Sequence, residues 1–179
     1  EVYDYPEEFF KERVHTIRRP KPDDFQIKEA AELIKKSKKP IIIAGGGVFY
    51  SDATDELSDF AKKHNIPVTQ TVMGYSSMKK DHTHYLGTIG GLGGRAANNL
   101  SKETDTAIAI GTKLADFTTG SWANFENPNF KLVSINAARF DANKHMAQAI
   151  VGDAKVSLTE LTQALGSWKA DDSWHKKSR

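Results

Sequence analysis

Two glycine clusters are the first candidates for chemistry. Gly45-Gly46-Gly47 directly follows Ile41-Ile42-Ile43-Ala44, where a strand would hand over to a helix. Glycines there let the backbone turn tightly and let an anion approach the amides at a helix N-terminus. The run continues Val48-Phe49-Tyr50, so the third glycine of G-x-G-x-x-G is missing. A phosphate-binding turn and a plain strand-to-helix turn both stay open. In the second cluster, Gly91-Leu92-Gly93-Gly94-Arg95-Ala96 matches G-x-G-x-x-A and opens a helix with a positive charge. The strand before it is doubtful, so it is equally a loop ordered by a neighbouring domain.

Further polar candidates fall near expected strand ends. Lys113 and Asp116 follow Thr106–Gly111, with Ser121 and Trp122 just beyond, and Asn136 ends Lys131–Ile135. Lys113 could meet a phosphate and a carboxylate could hold a ribose, or both could be solvated. Asn136 can hydrogen-bond a ribose without the charge-assisted strength of an acid. Gly46, Gly47, Lys113 and Asp153 together could hold FAD, NAD or ADP. Asp81-His82-Thr83-His84 lacks a third convergent ligand and reads as a loop rather than a metal site. G-x-S-x-G and the P-loop are absent, and with no cysteine there is no thiolate nucleophile or disulfide.

The elements that would carry these residues follow from period and punctuation. Residues 1–22 read as an arm, with Tyr3, Tyr5, Phe9 and Phe10 as apolar anchors for this domain or a neighbour. Asp23 and Gln26 resemble a capping box before Ile27, Ala30, Ala31 and Ile34, a helical stripe. Pro40 ends the basic helix tail, and the β-branched run after it suits a strand covered on both faces. Ser51 and Asp52 could cap a helix burying Ala53, Leu57, Phe60 and Ala61. A strand over 67–72 then completes a βαβ unit. Residues 73–94 have no clear period, with a short strand possible around 85–87. Strands are expected over 106–111, 131–135 and 148–151, and helices over 94–102 and 153–165. The segment 167–179 reads as a polar, frayed tail.

Strands alternating with helices predict one α/β domain over 23–166. It would be a Rossmann-like, doubly wound parallel sheet of five to six strands with helices on both faces. The 179 residues are enough for a real core, and a net charge of +2 with interspersed signs does not suggest a nucleic-acid partner. No apolar run approaches the roughly 20 residues that cross a bilayer.

Pro40–Gly47, Asn65–Gly74, the glycine-rich loop, Ala107–Leu114 and Val151-Gly152-Asp153-Ala154 resemble the middle domain of thiamine-diphosphate enzymes of the acetolactate synthase type. The resemblance runs from about Pro20 to Leu165. Within that superfamily, Asp116–Trp122, Phe140–His145 and the arm Phe9–Pro20 look like the trihydroxycyclohexane-dione hydrolases of myo-inositol breakdown. Those enzymes open a cyclic dione hydrolytically to a deoxy-glucuronate.

The resemblance implies thiamine diphosphate and magnesium in the intact protein, held by two flanking domains. One binds the pyrimidine and supplies an activating Glu. The other binds the pyrophosphate and carries a Gly-Asp-Gly…Asn motif, and no Gly-Asp-Gly occurs here. Related acetolactate synthases bind FAD on this domain, using an Arg after the third strand and an acid ending the fourth. The matching positions look like Lys113 and Asn136, and Lys offers a point charge where Arg offers a planar fork. The resemblance therefore implies a vestigial nucleotide site at Gly46, Gly47, Lys113, Asn136 and Asp153, and no catalytic residue of the chain's own. It further implies a structural role between the flanking domains of a cytoplasmic homo-oligomer.

Overall fold

The β-branched stretches form the centre of the molecule, as their composition demands. The computed structural model describes residues 2–178. Its strands are β1 (Pro40–Ala44), β2 (Val68–Gln70), β3 (Tyr85–Thr88), β4 (Thr106–Ile110), β5 (Lys131–Asn136) and β6 (Gln148–Val151). They make one sheet in the order β3-β2-β1-β4-β5-β6, with every neighbouring pair parallel. β1 and β4 are buried along their whole length, which is why they read as unbroken apolar runs and not as alternation.

Alternation still decides what each side chain meets. Ile42, Ala44, Ile108, Ile110, Val133, Ile135 and Ile150 face a layer of three helices: α1 (Asp24–Lys35), α3 (Thr54–His64) and α7 (Ala154–Leu165). Ile41, Ile43, Ala107, Ala109 and Leu132 face the other side, under α4 (Arg95–Glu103) and α8 (Asp172–Lys177). Short helices complete the loops: α2 (Gly46–Tyr50), α5 (Asp116–Thr119) and α6 (Arg139–Ala142). The expected stripe Ile27, Ala30, Ala31 and Ile34 is the buried face of α1. Likewise Ala53, Leu57, Phe60 and Ala61 are buried at α3.

Local details depart from the sequence reading in instructive ways. Asp23 caps α1, accepting from the Phe25 amide at 2.8 Å. Gln26, however, does not close a capping box, because its Oε1 accepts from the Val151 amide at 2.9 Å. It thus ties α1 to the edge strand β6. The helix after β1 is broken in two, with Asp52 at a φ of 54° between α2 and α3 and no side-chain cap on α3. Val156, expected in the core, is only half-buried.

The tail is not frayed. Trp174 is buried and donates its indole N–H to the Pro40 carbonyl at 2.8 Å. Asp171 caps α8 through the Ser173 amide, and Lys177 pairs with Glu103 at 2.7 Å. The arm behaves oppositely. Tyr5, Phe9 and Phe10 are exposed, and among the described residues their ring contacts are with one another.

Candidate functional site

The strand order reverses between β1 and β4, where sheets of this kind open a ligand crevice beyond their carboxyl ends. In this chain, backbone fills that crevice. The Gly45 amide donates to the Ile110 carbonyl at 2.8 Å, and the Gly47 amide to the Gly111 carbonyl at 3.0 Å. A Cβ on Gly47 would lie 2.6 Å from the Gly111 Cα, and one on Gly45 would lie 2.3 Å from the Gly111 oxygen. Both glycines are thus needed for the two turns to touch. Gly111 itself sits at a φ of 60°, which favours glycine there. Gly46 is pinned on its other side, since its Cβ would come within 2.9 Å of the Met73 oxygen.

Two of the turn's three glycine amides are already bonded, to the carbonyls of Ile110 and Gly111, and α2, at 5 residues, is too short to add a useful dipole.

The remaining candidates sit around the same rim. Asn136 donates from Nδ2 to the Thr112 carbonyl at 3.3 Å, while its Oδ1 accepts from the Ala138 amide at 2.9 Å. Its polar atoms thereby brace the β4 and β5 loops. Lys113, the next residue along, is exposed. Asp153 lies apart, beyond β6, and caps α7 through the Lys155 and Val156 amides at 3.0 and 3.3 Å. It also pairs with Arg19 at 3.1 Å, and the same guanidinium donates to the Ser51 carbonyl. The structure thus gathers Gly46, Gly47, Lys113 and Asn136 near the switch point and gives Asp153 to the arm.

The second glycine cluster is also internally bonded. Asn98 clamps Gly90 in both directions, accepting from its amide at 2.9 Å and donating to its carbonyl at 3.0 Å. Gly94 donates to the Thr88 carbonyl at 2.8 Å and caps α4 with Arg95 exposed beyond it.

The Asp81–His84 loop serves the C-terminal helix. The His84 ring stacks on His175 at 4.1 Å between centroids and its Nε2 lies 3.1 Å from the Asn65 Oδ1. Asn65 in turn donates to Asp172 at 2.9 Å. Among the described residues, no three His, Cys, Asp or Glu side chains come together as a metal site. Nearby, His64 Nδ1 lies 2.6 Å from the Trp168 carbonyl. Burial pushes its pKa below the usual histidine value, with that carbonyl opposing the shift.

The sequence reading missed three features: the Arg19 clamp, the Asn98 clamp and the docked α8. Two local signals were available, both N-caps: Asp171 before α8 and Asp153 before α7. Asp153 before Ala154-Lys155-Val156 is an N-cap signature, and that accounts for its carboxylate without a ligand.

The architecture is that of a Rossmann-like, doubly wound parallel sheet. The chain belongs to the family described as thiamine pyrophosphate enzyme, central domain, whose profile matches residues 27–161.

Among curated relatives, a 3D-(3,5/4)-trihydroxycyclohexane-1,2-dione hydrolase of Clostridium perfringens strain 13 is 45% identical over 174 residues. That match covers 97% of this chain and 27% of the relative. The enzyme of that name from Clostridium botulinum strain Eklund 17B is 46% identical over 165 residues, covering 92% of this chain and 26% of its own. The chain therefore spans about a quarter of the length of the relatives it matches. A solved structure described as a thiamin diphosphate-dependent enzyme from Mycobacterium smegmatis superposes with a TM-score of 0.68 at 22% identity. It covers 89% of this chain and 31% of that one, and shares the fold.

Proposed function

We propose that this chain is the central, non-catalytic domain of a thiamine-diphosphate-dependent hydrolase that acts on a C–C bond. The intact protein would open trihydroxycyclohexane-1,2-dione to 5-deoxyglucuronate in myo-inositol catabolism. Thiamine diphosphate and magnesium would be held by flanking domains of the same polypeptide, in a cytoplasmic homo-oligomer. The central domain would set the spacing and orientation of those two domains. One observation carries the scaffold reading: Gly45, Gly47 and Gly111 interlock, so the switch point supports the sheet instead of opening as a cleft. The substrate reading rests on the 45% identity to a relative carrying that substrate in its name.

The test is a reconstitution of the intact polypeptide after its cofactor has been stripped. Ring opening of the dione should return on adding thiamine diphosphate and magnesium together. Condensation of 2-oxoacids without ring opening would move the chain to the acetolactate synthase branch.

A second reading is a nucleotide-binding module. It is favoured by the exposed Lys113 beside the switch point. Gly46, Gly47, Lys113, Asn136 and Asp153 would then contact FAD, NAD or ADP, with Asn136 and Asp153 exchanging their present partners for the ligand.

A further inference from the structure

Four of the six histidines meet at one place, the junction of α3, the loop before β3 and the C-terminal segment. His64 ends α3 with Asn65 as its C-cap, His82 and His84 stand just before β3, and His175 lies on α8. What they hold is the stretch from Trp168 to His175.

His64 and Asn65 grip that stretch directly. The Ala170 amide donates to the His64 carbonyl at 2.9 Å. The His64 Nδ1 lies 2.6 Å from the Trp168 carbonyl, so the ring carries its proton there. The Asn65 amide nitrogen donates to the Ala170 carbonyl at 3.2 Å and to Asp172 at 2.9 Å. Its oxygen is thereby turned toward His84 Nε2, at 3.1 Å. On that same His84 ring, His175 stacks at 4.1 Å between centroids and 19° between planes.

These contacts suit neutral imidazoles. His64 is fully buried, and its Nε2 has no acceptor among the described residues. A second proton there would bury a charge and leave its N–H unmatched. His82 Nδ1 accepts from the His84 amide at 3.2 Å, a bond that a proton on that nitrogen would abolish. Charging His84 and His175 together would set two cations face to face, and like charges disfavour one another.

The neighbouring charges divide by sign. Lys63, on α3, disfavours a cation at His64. Asp81 precedes His82 on the loop, Asp172 takes the Asn65 amide, and Asp171 caps α8 with Lys176 close by. These three acids favour charged histidines, but all three are exposed, where solvent weakens their pull.

We infer that this junction is a pH-responsive clasp on α8, closed while its histidines are neutral and opened when they take up protons. Opening frees the Trp174 indole from the Pro40 carbonyl and uncovers the start of β1. Burial holds the pKa of His64 below 6.5, so its share of the closure is whole above that value and is lost as pH falls below it. The clasp needs no ligand and does not rest on the proposed enzymatic role.

Hydrogen exchange on the intact polypeptide, corrected for intrinsic rate, is compared at pH 7.5 and pH 5.5, roughly one unit either side of an ordinary histidine pKa. Amides over 166–178 should exchange about tenfold faster at the lower pH, the factor that one unit of pKa separation supplies, while β4 stays protected. His64→Asn keeps a donor toward Trp168 and cannot be charged, so the rise should largely vanish. His175→Phe keeps a ring on His84 and should blunt the rise as well. Lying at a half-buried position, it serves as the second variant if the buried substitution loosens α8 by itself. No rise in the wild-type polypeptide would overturn the clasp. An equal rise in wild type and both variants would also overturn it, because acid would then act elsewhere. So would exchange in β4 rising in step with 166–178, since the molecule would be unfolding as a whole.

Discussion

The Asp153 carboxylate serves two elements at once, capping α7 while holding the Arg19 guanidinium at 3.1 Å. Removing it leaves the first amides of α7 without their cap and Arg19 with the Ser51 carbonyl but no counter-charge. Asp153→Ala should lower stability by about 1–2 kcal/mol, mostly through the lost cap. Asp153→Asn should cost less because an amide oxygen still caps. Urea midpoints at equal slope check the order of the two.

Arg19→Ala should leave the domain nearly as stable but release the arm. Limited trypsin digestion should then cut at Arg18 sooner than in the wild-type chain. Equal cleavage rates would mean that the clamp at Ser51 and Asp153 does not restrain the arm.

Glycine substitutions should split sharply by what a Cβ meets. Gly47→Ala drives a methyl to within 2.6 Å of the Gly111 backbone, and overpacking of that kind costs about 1–3 kcal/mol. Gly94 has open space around its Cβ position and an ordinary backbone. Gly94→Ala should therefore stay within about 0.5 kcal/mol of wild type. Thermal denaturation of both variants reads the contrast. A harmless Gly47→Ala would restore the view of that glycine as a ligand contact.

Acid should loosen the molecule through His64. Its folded pKa lies below 6.5, chiefly because burial opposes the charged form. The unfolded chain therefore takes up the proton more readily. The stabilising contribution is whole above 6.5 and declines as pH falls through the window below it. Denaturation midpoints at pH 7.5 and pH 5.5, roughly one unit either side of an ordinary histidine pKa, should drop less in His64→Gln than in wild type. An identical drop would place the acid sensitivity elsewhere.

The C-terminal helix should depend on one indole. Trp174→Ala removes a buried ring and the hydrogen bond to Pro40, a loss on the order of 3–5 kcal/mol for a buried aromatic. Because the Trp174 ring is the buried anchor of α8, hydrogen exchange should rise first across 166–178. The sheet should lose protection only at higher denaturant.

What could be read from the residues beforehand depended on how local the determinant was. β1, β4, α1 and α7 announce themselves because a single period or a β-branched run decides them, and their neighbours only confirm the choice. α8 was hidden: Trp168, Ala170 and Trp174 are sparse among polar residues, and they are ordered by His64 and Pro40, far away in the chain. Gln26 looked like a capping residue because Asp23 stands three residues before it, yet β6 claimed its side chain. The three successive glycines of the Gly45–Gly47 turn signal a special backbone need. The turn's approach to Gly111 was not legible locally, because Gly111 follows a different strand, β4. Lys113 and Asn136 were placed at strand ends by pattern. The bond from Asn136 to Thr112 follows only from strand order.

The role proposed for this domain is to shape an enzyme without performing its chemistry. The most direct measurement assays dione ring opening by the 179-residue chain and the intact polypeptide in parallel, both with thiamine diphosphate and magnesium in excess. The account predicts turnover by the intact polypeptide and none by the chain alone. Ring opening by the chain alone would contradict it.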